Sequence, residues 1–364
     1  MINHITIENF KSLKKIEADT NNLNLLMGLN GMGKSSLIQM LLLLKQSDNL
    51  DKKIIDLNGA LINIGLGRDA LYQFSSEDFI LFGLSLDEFE FSWKLIYQAD
   101  NDKLTAENGY TSEKMQYFRS QTNKFQFIGA ERIGSQDLYD ASSTIVADKK
   151  YLGLSGEYAA YYLNVFGSKY KVKEILRHKD TIADTLLAQV NAWLGEISPG
   201  ILVNTKYIPE INKVILDYQF TLGFGKTNYF KSKNVGFGIT YVLPVILSLL
   251  TAEEGKIIII ENPESHIHPR GQAELGKLIA LAAQTGAQLF IETHSDHILN
   301  GIRVAVKEQY IDKSKVKILY FDKETTDTEQ YSKITQIRID KNGTLSDYPK
   351  DFLDEWSNQL SKLI

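Results

Sequence analysis

The sequence has 364 residues, of which 43% are hydrophobic and 23% are charged, and its formal net charge is −5 at pH 7. These values are ordinary for a globular protein with one large or two smaller domains. The negative net charge argues against a protein that binds nucleic acid over most of its surface, but it allows a local basic patch. The sequence contains no cysteine, which excludes disulfides, zinc–thiolate sites and thiol catalysis.

The sequence shows no membrane or export signal. Residues 1–5 lack a basic region before a long apolar segment, which a signal peptide requires. The apolar run 239–250 is too short to span a bilayer and is interrupted by Thr240, Tyr241 and Pro244. We therefore expect a cytoplasmic protein with no membrane partner.

Two strands are predicted near the beginning of the chain. Residues 5–12 alternate between apolar and polar side chains, which predicts a half-buried strand followed by a turn. The apolar residues 23–27 predict a second, buried strand, which we expect to pair with the first. Lys11 and Ser12 follow the first strand closely enough to bind a nucleotide at the next loop; the alternative is that they form only a solvated turn.

Residues 28–36, with the sequence GLNGMGKSS, fit the phosphate-binding pattern G-x-x-x-x-G-K-[ST]. Three glycines let the backbone curl so that its N–H groups point at phosphate oxygens, and the following helix adds the positive end of its dipole. Lys34 is expected to bind the β- and γ-phosphates, Ser35 to ligate Mg²⁺, and Ser36 to donate toward the α-phosphate. The alternative is a glycine-rich turn before a core helix.

The pattern therefore predicts ATP and Mg²⁺ as cofactors. The loop residues expected to bind the nucleotide are Asn30, Gly31, Met32, Gly33, Lys34, Ser35 and Ser36.

The middle of the chain has a different pattern. Residues 79–86 and 88–97 alternate and are rich in aromatic side chains, which predicts an antiparallel sheet. Residues 98–124 are polar and predict a loop or an exposed hairpin. A short strand at 125–129 leads to Arg132, which is either a surface arginine or a residue of a site at the strand end.

Further along, residues 172–194 predict a helix and residues 201–230 predict strands. Residues 54–230 are therefore expected to be inserted between two halves of a nucleotide-binding core. No heptad series is present, so no coiled-coil arm is expected.

The second half of that core begins at residues 257–260, four isoleucines that predict a buried parallel strand ending in Glu261. An acid that helps the phosphate loop to hold Mg²⁺ is expected at this point; the alternative is a solvated acid at a strand end. Residues 288–292 predict another buried strand, followed by His294. A helix at 272–285 joins the two strands in a right-handed crossover.

Four of the six histidines lie after these two strands, which makes a transition-metal site conceivable. The four residues are His266, His268, His294 and His297. Their spacing does not match a helical zinc motif, and loop structure is the alternative role for His266 and His268.

The predicted architecture is α/β, with a P-loop parallel-sheet core, an antiparallel β lobe and an inserted α/β region. Two strands at 316–321 and 334–339 and a helix at 349–363 are predicted to end the chain. The predicted divisions are the first half of the core at 1–53, the β lobe and inserted region at 54–230, the second half of the core at 231–315, and a strand–helix subdomain at 316–364.

These motifs together resemble the heads of ABC-type ATPases that include the RecF, chromosome-structural-maintenance and OLD-nuclease groups. The matching phrases are IxIxNFKS near the N-terminus, the loop 28–36, ENPE with HxHP at 261–269, and THS at 293–295. Phrases at 130–134, 156–158, 235–238 and 270–272 are similar to a bacterial "AAA family" subgroup with a short C-terminal domain of unknown function. The C-terminal residues 342–355 resemble that domain.

The resemblance implies a role for several residues. Glu261 takes the Mg²⁺-supporting position, and His294 takes the position that senses the γ-phosphate. Asn234 and Gly236 stand in for the signature loop that touches ATP across a dimer. A homodimer, or a higher oligomer of dimers, is therefore implied.

One departure from the family pattern concerns catalysis. The residue after the Mg²⁺-supporting acid is usually a catalytic Glu, but here it is Asn262. Asn cannot accept a proton as a general base, so either Glu264 polarises the water or hydrolysis is slow. The residues expected to carry catalysis are Glu264, Glu261, His294 and Lys34.

The resemblance to this subgroup implies an ATP-driven sensor or scaffold that regulates a separately encoded effector, such as a nuclease, in anti-phage defence. Only about 60 residues follow the region around His294, too few for a typical nuclease domain. One alternative is a DNA-repair ATPase like RecF, which would bind nucleic acid. Another is a nucleotide-gated interaction module without turnover.

Overall fold

The computed structural model describes residues 1–47, 53–107, 118, 123–349, 352 and 355–363. The chain divides into two compact units. The first comprises Met1–Thr122 and Lys313–Ile364, and the second comprises Asn123–Asp312.

The strands and helices are numbered in chain order. The strands are β1 (Ile2–Phe10), β2 (Leu13–Asp19), β3 (Leu23–Gly28), β4 (Ile54–Asp56), β5 (Phe79–Leu86), β6 (Phe89–Ile96), β7 (Lys103–Thr105), β8 (Phe125–Ile128), β9 (Tyr139–Asp140), β10 (Ile201–Ile208), β11 (Lys213–Phe220), β12 (Phe230–Lys231), β13 (Ile257–Glu261), β14 (Gln288–Glu292), β15 (Val316–Thr325) and β16 (Gln330–Ile337). The helices are α1 (Lys34–Gln46), α2 (Gly67–Ala70), α3 (Ala159–Phe166), α4 (Leu186–Ile197), α5 (Phe237–Leu250), α6 (Pro269–Gln284), α7 (Asp296–Lys307) and α8 (Glu355–Ser361).

An antiparallel sheet in the first unit has the strand order β2-β1-β5-β6. The predicted pairing of β5 with β6 is confirmed. The predicted pairing of the first strand with residues 23–27 is wrong, because β1 pairs with β2 and β5. The turn at Lys11 and Ser12 folds the chain straight back, and β2 buries Ile16 and Ala18 on one face and Leu13 on the other.

The P-loop strand β3 has a different partner in the same unit. It pairs in parallel with β15, in a register that places Gly28 opposite Phe321. β15 also pairs with β16 in an antiparallel hairpin, so the two predicted C-terminal strands are confirmed. Every residue from Leu23 to Met27 is buried, as the uninterrupted apolar run indicated.

The second unit contains three parallel strands, because β13 pairs with both β14 and β8. Helix α6 connects β13 to β14, so the predicted β-α-β crossover is confirmed. The four isoleucines of β13 and the first four residues of β14 are buried. Their carboxyl ends, Glu261 and Glu292, lie opposite each other in register.

The inserted region differs in part from the prediction. The strands predicted at 201–230 are present as β10, β11 and β12. Residues 172–185 are not an α-helix, because this segment closes on itself through the backbone bond from Val172 N to Asp184 O. The helix begins at Leu186. Part of the polar segment 98–124 lies outside the described residues. The described part of this segment contains β7, which pairs with β4.

No helix among the described residues is long and apolar enough to cross a membrane. The longest helix in the described part of the chain is α6, with 16 residues. That part therefore contains no coiled-coil arm, in agreement with the sequence.

Candidate functional site

The predicted phosphate loop connects β3 to α1 in the first unit. Gly28, Gly31 and Gly33 have φ angles of 134°, 75° and 97°, a region that other residues rarely adopt. A Cβ atom at Gly28 would lie 2.2 Å from the carbonyl oxygen of Phe321, so glycine is required there for packing as well. These backbone conformations form a concave turn at the beginning of a 13-residue helix.

The N-terminus of α1 has the character of an anion-binding site. Gly33 occupies the N-cap and, having no side chain, supplies no side-chain capping bond to this helix. The backbone N–H groups of the first turn of a helix need such partners or a ligand. Asn30 and Gly31 are exposed at the tip of the loop, whereas Met32, Gly33 and Ser35 are half-buried and Ser36 is buried.

Lys34 lies across this loop. Its side chain is buried, and its Nζ donates to the carbonyl oxygens of Gly28, at 2.9 Å, and Leu29, at 2.8 Å. The ammonium group is therefore held at the centre of the concave turn. A cation at this position can neutralise a bound polyphosphate.

Lys11 and Ser12 lie beside the same loop. The Nζ of Lys11 donates to Oε1 of Gln39 on α1, at 2.9 Å, and partial burial lowers the pKa of Lys11. A Cβ atom at Gly33 would lie 2.9 Å from the Oγ of Ser12. The first unit thus brings together Lys11, Ser12 and the loop that bears Lys34.

In the second unit, Glu261 ends β13 and is held by the loop that follows β8. Its Oε2 accepts a hydrogen bond from the backbone N–H of Ala130, at 3.0 Å. Burial raises the pKa of Glu261, and the Ala130 N–H and the Arg132 charge oppose that rise. The carboxylate therefore occupies a partly desolvated position at a strand end.

Arg132 is a buried residue of the same loop, which the sequence left undecided between a surface and a site role. Its side chain is only 4% exposed, and Nη2 donates to the carbonyl oxygens of both Glu261 and Asn262, the latter at 3.0 Å. Burial lowers the pKa of Arg132 to about 10, and among its neighbours the Glu264 charge opposes this most. Arg132 therefore fixes the backbone of the acidic turn.

Asn262 has an unusual backbone conformation in that turn. Its φ is 45°, a region that Asn tolerates better than most residues. Its N–H donates to the carbonyl oxygen of Glu292 at 2.8 Å. Within the described part of the chain its buried Oδ1, like Nε and Nη1 of Arg132, has no hydrogen-bond partner.

Glu264 joins the two loops that follow β13 and β14. Its Oε2 accepts from the Oγ1 of Thr293, at 2.8 Å, and its Oε1 accepts from the backbone N–H of His294, at 2.9 Å. The His294 side chain is exposed. The structure therefore brings Glu261, Glu264 and His294 to the same end of the parallel strands in the second unit.

Asn234 and Gly236 lie before helix α5. Both are exposed, Gly236 is the N-cap residue, and the next residue, Phe237, is 46% exposed. A Cβ atom at Gly238 would lie 2.1 Å from the carbonyl oxygen of His266, so the start of α5 packs directly against the loop after β13.

The histidines of these loops have structural contacts. The ring of His266 packs edge-on against Phe237 and Tyr241, and Nδ1 of His268 accepts from the backbone N–H of Arg270 at the start of α6. Among the described residues, none of the four histidines singled out from the sequence belongs to a group of three potential metal ligands close to one another. The geometry therefore does not favour a transition-metal site at these loops.

A group formed by His178, Asp180 and Glu196 was not recognisable from the sequence; its potential ligand atoms lie within 4.8 Å of one another. His178 already uses both ring nitrogens: Nε2 pairs with Glu196 at 3.1 Å, and Nδ1 accepts from the Asp180 N–H at 3.2 Å. Arg270 also pairs with Glu196, at 3.2 Å. These contacts account for the group as an ion-pair network.

Sequence reasoning also missed the partners that hold the site residues. The Oγ of Ser332 donates to the Oγ of Ser12 at 2.8 Å across 320 positions of the chain. Thr293 was recognised only as part of a motif, and no pattern in the neighbouring sequence indicates its contact with Glu264. Only the fold brings such distant residues together.

Three family models match parts of the chain. Residues 1–82 match a model described as an AAA ATPase domain, and residues 153–300 match one described as "AAA domain, putative AbiEii toxin, Type IV TA system". Residues 311–363 match a protein of unknown function, DUF3696. No curated protein matches the chain.

Solved structures show a similar fold. An SMC head bound to the C-terminal winged-helix domain of ScpA has a TM-score of 0.52 and 12% identity, with 93% of this chain and 98% of that chain covered. An SMC head with an extended coiled coil, bound to the C-terminal domain of ScpA from Pyrococcus furiosus, has a TM-score of 0.52 and 11% identity, with 100% and 99% covered. The chain therefore has an SMC-head-like α/β fold.

Proposed function

Because the chain is an ABC-type AAA ATPase of the SMC, RecF and OLD group with a C-terminal DUF3696 domain, we propose that it binds ATP and Mg²⁺, closes as a homodimer over the nucleotide and hydrolyses it slowly. In this proposal the dimer, or a higher oligomer of dimers, regulates a separately encoded effector, such as a nuclease, in anti-phage defence.

The observation that carries the proposal is the geometry of the phosphate loop. Three glycines with positive φ, the N-terminus of α1 behind its glycine N-cap and the central Lys34 ammonium provide donors and positive charge at one concave turn. This combination suits the phosphates of a nucleoside triphosphate. Lys34 would exchange its bonds to Gly28 and Leu29 for bonds to phosphate oxygens.

The donor set also suits Mg²⁺, which prefers oxygen ligands. We propose the Ser35 hydroxyl and the Glu261 carboxylate as its protein ligands. Mg²⁺ would neutralise charge on the phosphates when bound. The Ala130 N–H donates to the Glu261 carboxylate, and Arg132 holds the backbone carbonyl of the same residue, so both contacts position Glu261 for this role.

The proposed slow turnover rests on Asn262 and Glu264, the first and third residues after Glu261. Asn262 supplies no base, so Glu264 is the proposed group that accepts a proton from the attacking water. Each oxygen of Glu264 accepts one hydrogen bond and retains a second lone pair. His294, whose N–H is bonded to Glu264, is the proposed γ-phosphate sensor.

The proposed dimer uses Asn234 and Gly236. Their exposure at the start of α5, beside the exposed ring of Phe237, supports an intermolecular role for this segment. Asn234 can donate to a phosphate oxygen, and the N–H groups at the start of the helix can do the same.

The proposed defence role is supported by the description of the model that matches residues 153–300, which names a putative AbiEii toxin of a toxin–antitoxin system. A regulator of this kind would bind a partner protein in one nucleotide state. The SMC heads of similar fold are themselves bound to domains of ScpA.

Phosphate release and oligomeric state test the nucleotide part of the proposal. Wild-type protein should release phosphate in an Mg²⁺-dependent reaction, Lys34→Ala should lose ATP binding, and Glu264→Ala should bind ATP without turnover. ATP should convert monomer to dimer in light scattering, most completely for Glu264→Ala. ATP binding with no turnover in wild type would instead indicate a nucleotide-gated interaction module.

Co-expression with proteins encoded by neighbouring genes tests the effector part. The expected result is a stable complex and protection against phage that the Lys34→Ala variant lacks. A chain that forms no such complex and gives no protection would contradict this part of the proposal.

A DNA-binding repair ATPase is the second candidate, and an exposed hairpin between β11 and β12 favours it. Phe224 and Tyr229 are 103% and 58% exposed, and Lys226 and Lys231 are also exposed. Aromatic rings beside lysines suit base stacking and phosphate contacts. This candidate requires ATP-dependent DNA binding with a steep salt dependence, and absence of binding at low salt with ATP would exclude it.

A further inference from the structure

The C-terminal hairpin β15–β16 packs directly on the phosphate loop. The backbone N–H of Ser332 donates to the carbonyl oxygen of Ser12 at 2.8 Å, and the two side-chain hydroxyls are also bonded at 2.8 Å. A Cβ atom at Gly33 would lie 2.5 Å from the Oγ of Ser332. This hairpin belongs to residues 311–363, the segment that matches a protein of unknown function.

A cavity of about 330 Å³ opens beside the loop in the same unit. This volume is at the lower end of the roughly 300–1,000 Å³ of small-molecule sites. Four segments line the cavity: the β1–β2 turn, the phosphate loop, α2 with the residues that follow it, and the C-terminal hairpin. Those used below are Lys11, Gly31, Tyr72, Gln73, Lys323 and Tyr331.

The wall contributed by the hairpin is held in place by several contacts. The Tyr72 side chain is buried, and its hydroxyl bonds with the Glu329 carboxylate, at 3.2 Å, and with the Gln330 carbonyl oxygen, at 3.1 Å. The same carboxylate pairs with Lys14 at 2.5 Å. The Lys14 ammonium also lies 5.3 Å from the centre of the Tyr331 ring. These contacts fix the beginning of β16 against the N-terminal sheet.

The chemistry of the lining suits a nucleoside. Tyr331 offers aromatic surface, Gln73 offers an amide, and Lys11 and Lys323 offer positive charge near Gly31 of the phosphate loop. A base needs a flat apolar surface with a few polar groups, and a ribose needs hydrogen-bond partners. A polyphosphate on the loop would have its nucleoside end within reach of this cavity through Gly31.

We propose that this cavity binds the base and ribose of the nucleotide and that the domain of unknown function supplies its outer wall through Lys323 and Tyr331. This inference rests on the proposed nucleotide binding at residues 28–36. It gives the C-terminal hairpin a direct role in ligand recognition: the hairpin contacts the nucleoside, whereas the glycine-rich loop contacts the phosphates.

The test compares ATP with inorganic tripolyphosphate, which has no nucleoside, by titration calorimetry on the full chain. Wild type should bind ATP more tightly than tripolyphosphate. Tyr331→Ala should weaken ATP roughly tenfold, as expected for the loss of one stacked aromatic ring, and should leave tripolyphosphate unchanged. The matched control is Tyr348→Ala, because Tyr348 is 53% exposed on the same domain and outside the cavity lining.

A second variant keeps the test informative if Tyr331→Ala fails to fold. Gln73 is exposed at the cavity, so Gln73→Trp should fill the cavity without disturbing the core, and should weaken ATP but not tripolyphosphate. Equal affinities of wild type for the two ligands, or unchanged ATP affinity in both variants, would overturn the role of the cavity while leaving the phosphate loop intact. Wild type that binds neither ligand would overturn the proposed nucleotide binding and this inference with it.

Discussion

The carboxylate of Glu264 accepts a hydrogen bond from the backbone N–H of His294 at 2.9 Å. The two residues follow different strands, β13 and β14, and the second carboxylate oxygen accepts from Thr293. Any displacement of the His294 loop must therefore alter the position or the bonding of Glu264. This contact would directly couple His294, the proposed phosphate sensor, to Glu264, the proposed base.

Substitution of Glu264 separates a chemical role from a structural one. Glu264→Ala should lower phosphate release by about 10²–10⁴-fold, the usual effect of losing a general base, and leave ATP binding intact. Glu264→Gln keeps an oxygen that can accept from the His294 N–H but cannot accept a proton. If Glu264→Gln turned over ATP like wild type, the base role would be wrong; Glu308→Ala, at an exposed acid in the same unit, is the matched control.

Substitution of Asn262 tests whether turnover is limited by the absence of a carboxylate directly after Glu261. Asn262→Glu restores a carboxylate at the position after Glu261, and phosphate release should rise by about 10²-fold or more. The new Glu residue must keep the positive φ of this position, which costs roughly 1–2 kcal/mol of stability. Asn212→Glu is a matched control because Asn212 has a φ of 50° in the same unit. Unchanged turnover in a folded, ATP-binding Asn262→Glu variant would show that the missing acid is not limiting.

Substitution of Arg132 should weaken the binding of Mg²⁺ more than the binding of ATP. Lysine lacks the planar guanidinium that donates to the carbonyl oxygens of Glu261 and Asn262. Loss of such a supporting contact typically weakens metal binding by about 10–100-fold, so Arg132→Lys should raise the Mg²⁺ concentration needed for half-maximal turnover. Arg270→Lys, at an arginine whose side chain is 70% exposed, should not. An unchanged Mg²⁺ dependence in Arg132→Lys would contradict this positioning role.

Lys256, the residue before β13, makes stability depend on pH. Burial lowers the pKa of Lys256 from 10.5 to about 8. Between these values the unfolded chain holds the proton more strongly than the folded chain, so the contribution of Lys256 to the free energy of unfolding rises with pH. The full penalty is present below about pH 8 and is relieved as pH approaches 10.5.

Lys256→Met should therefore raise the free energy of unfolding at pH 7 by on the order of 2–3 kcal/mol, and the gain should shrink as pH rises from 8 to 10. Urea unfolding at several pH values measures this difference. Lys173→Met, at an exposed lysine in the same unit, should give no such pH-dependent gain. A gain for Lys256→Met that did not change with pH would point to better packing instead.

The sequence predicted the parts of the fold that rest on local patterns. The loop at 28–36, the buried strands that precede Lys34 and end in Glu261, and the crossover to β14 were all recognisable, because each depends on spacing within a few turns of helix or one strand. The helix predicted at 172–194 was wrong in its first part, because Val172 N bonds instead to Asp184 O and closes a loop before the helix begins at Leu186. Periodicity alone does not reveal such a bond.

The sequence by itself determined that this chain has a phosphate loop with Lys34 and Ser35, and that carboxylates follow its parallel strands. Only the tertiary structure decided that Arg132 is buried against the backbone of Glu261 and that Ser332 lies on Ser12. The physical reason is that a phosphate loop is made by consecutive backbone groups, whose geometry their own residue types dictate. A buried arginine or a bridging serine is positioned by strands and loops that lie far apart in the chain, and their pairing depends on the packing of the whole unit.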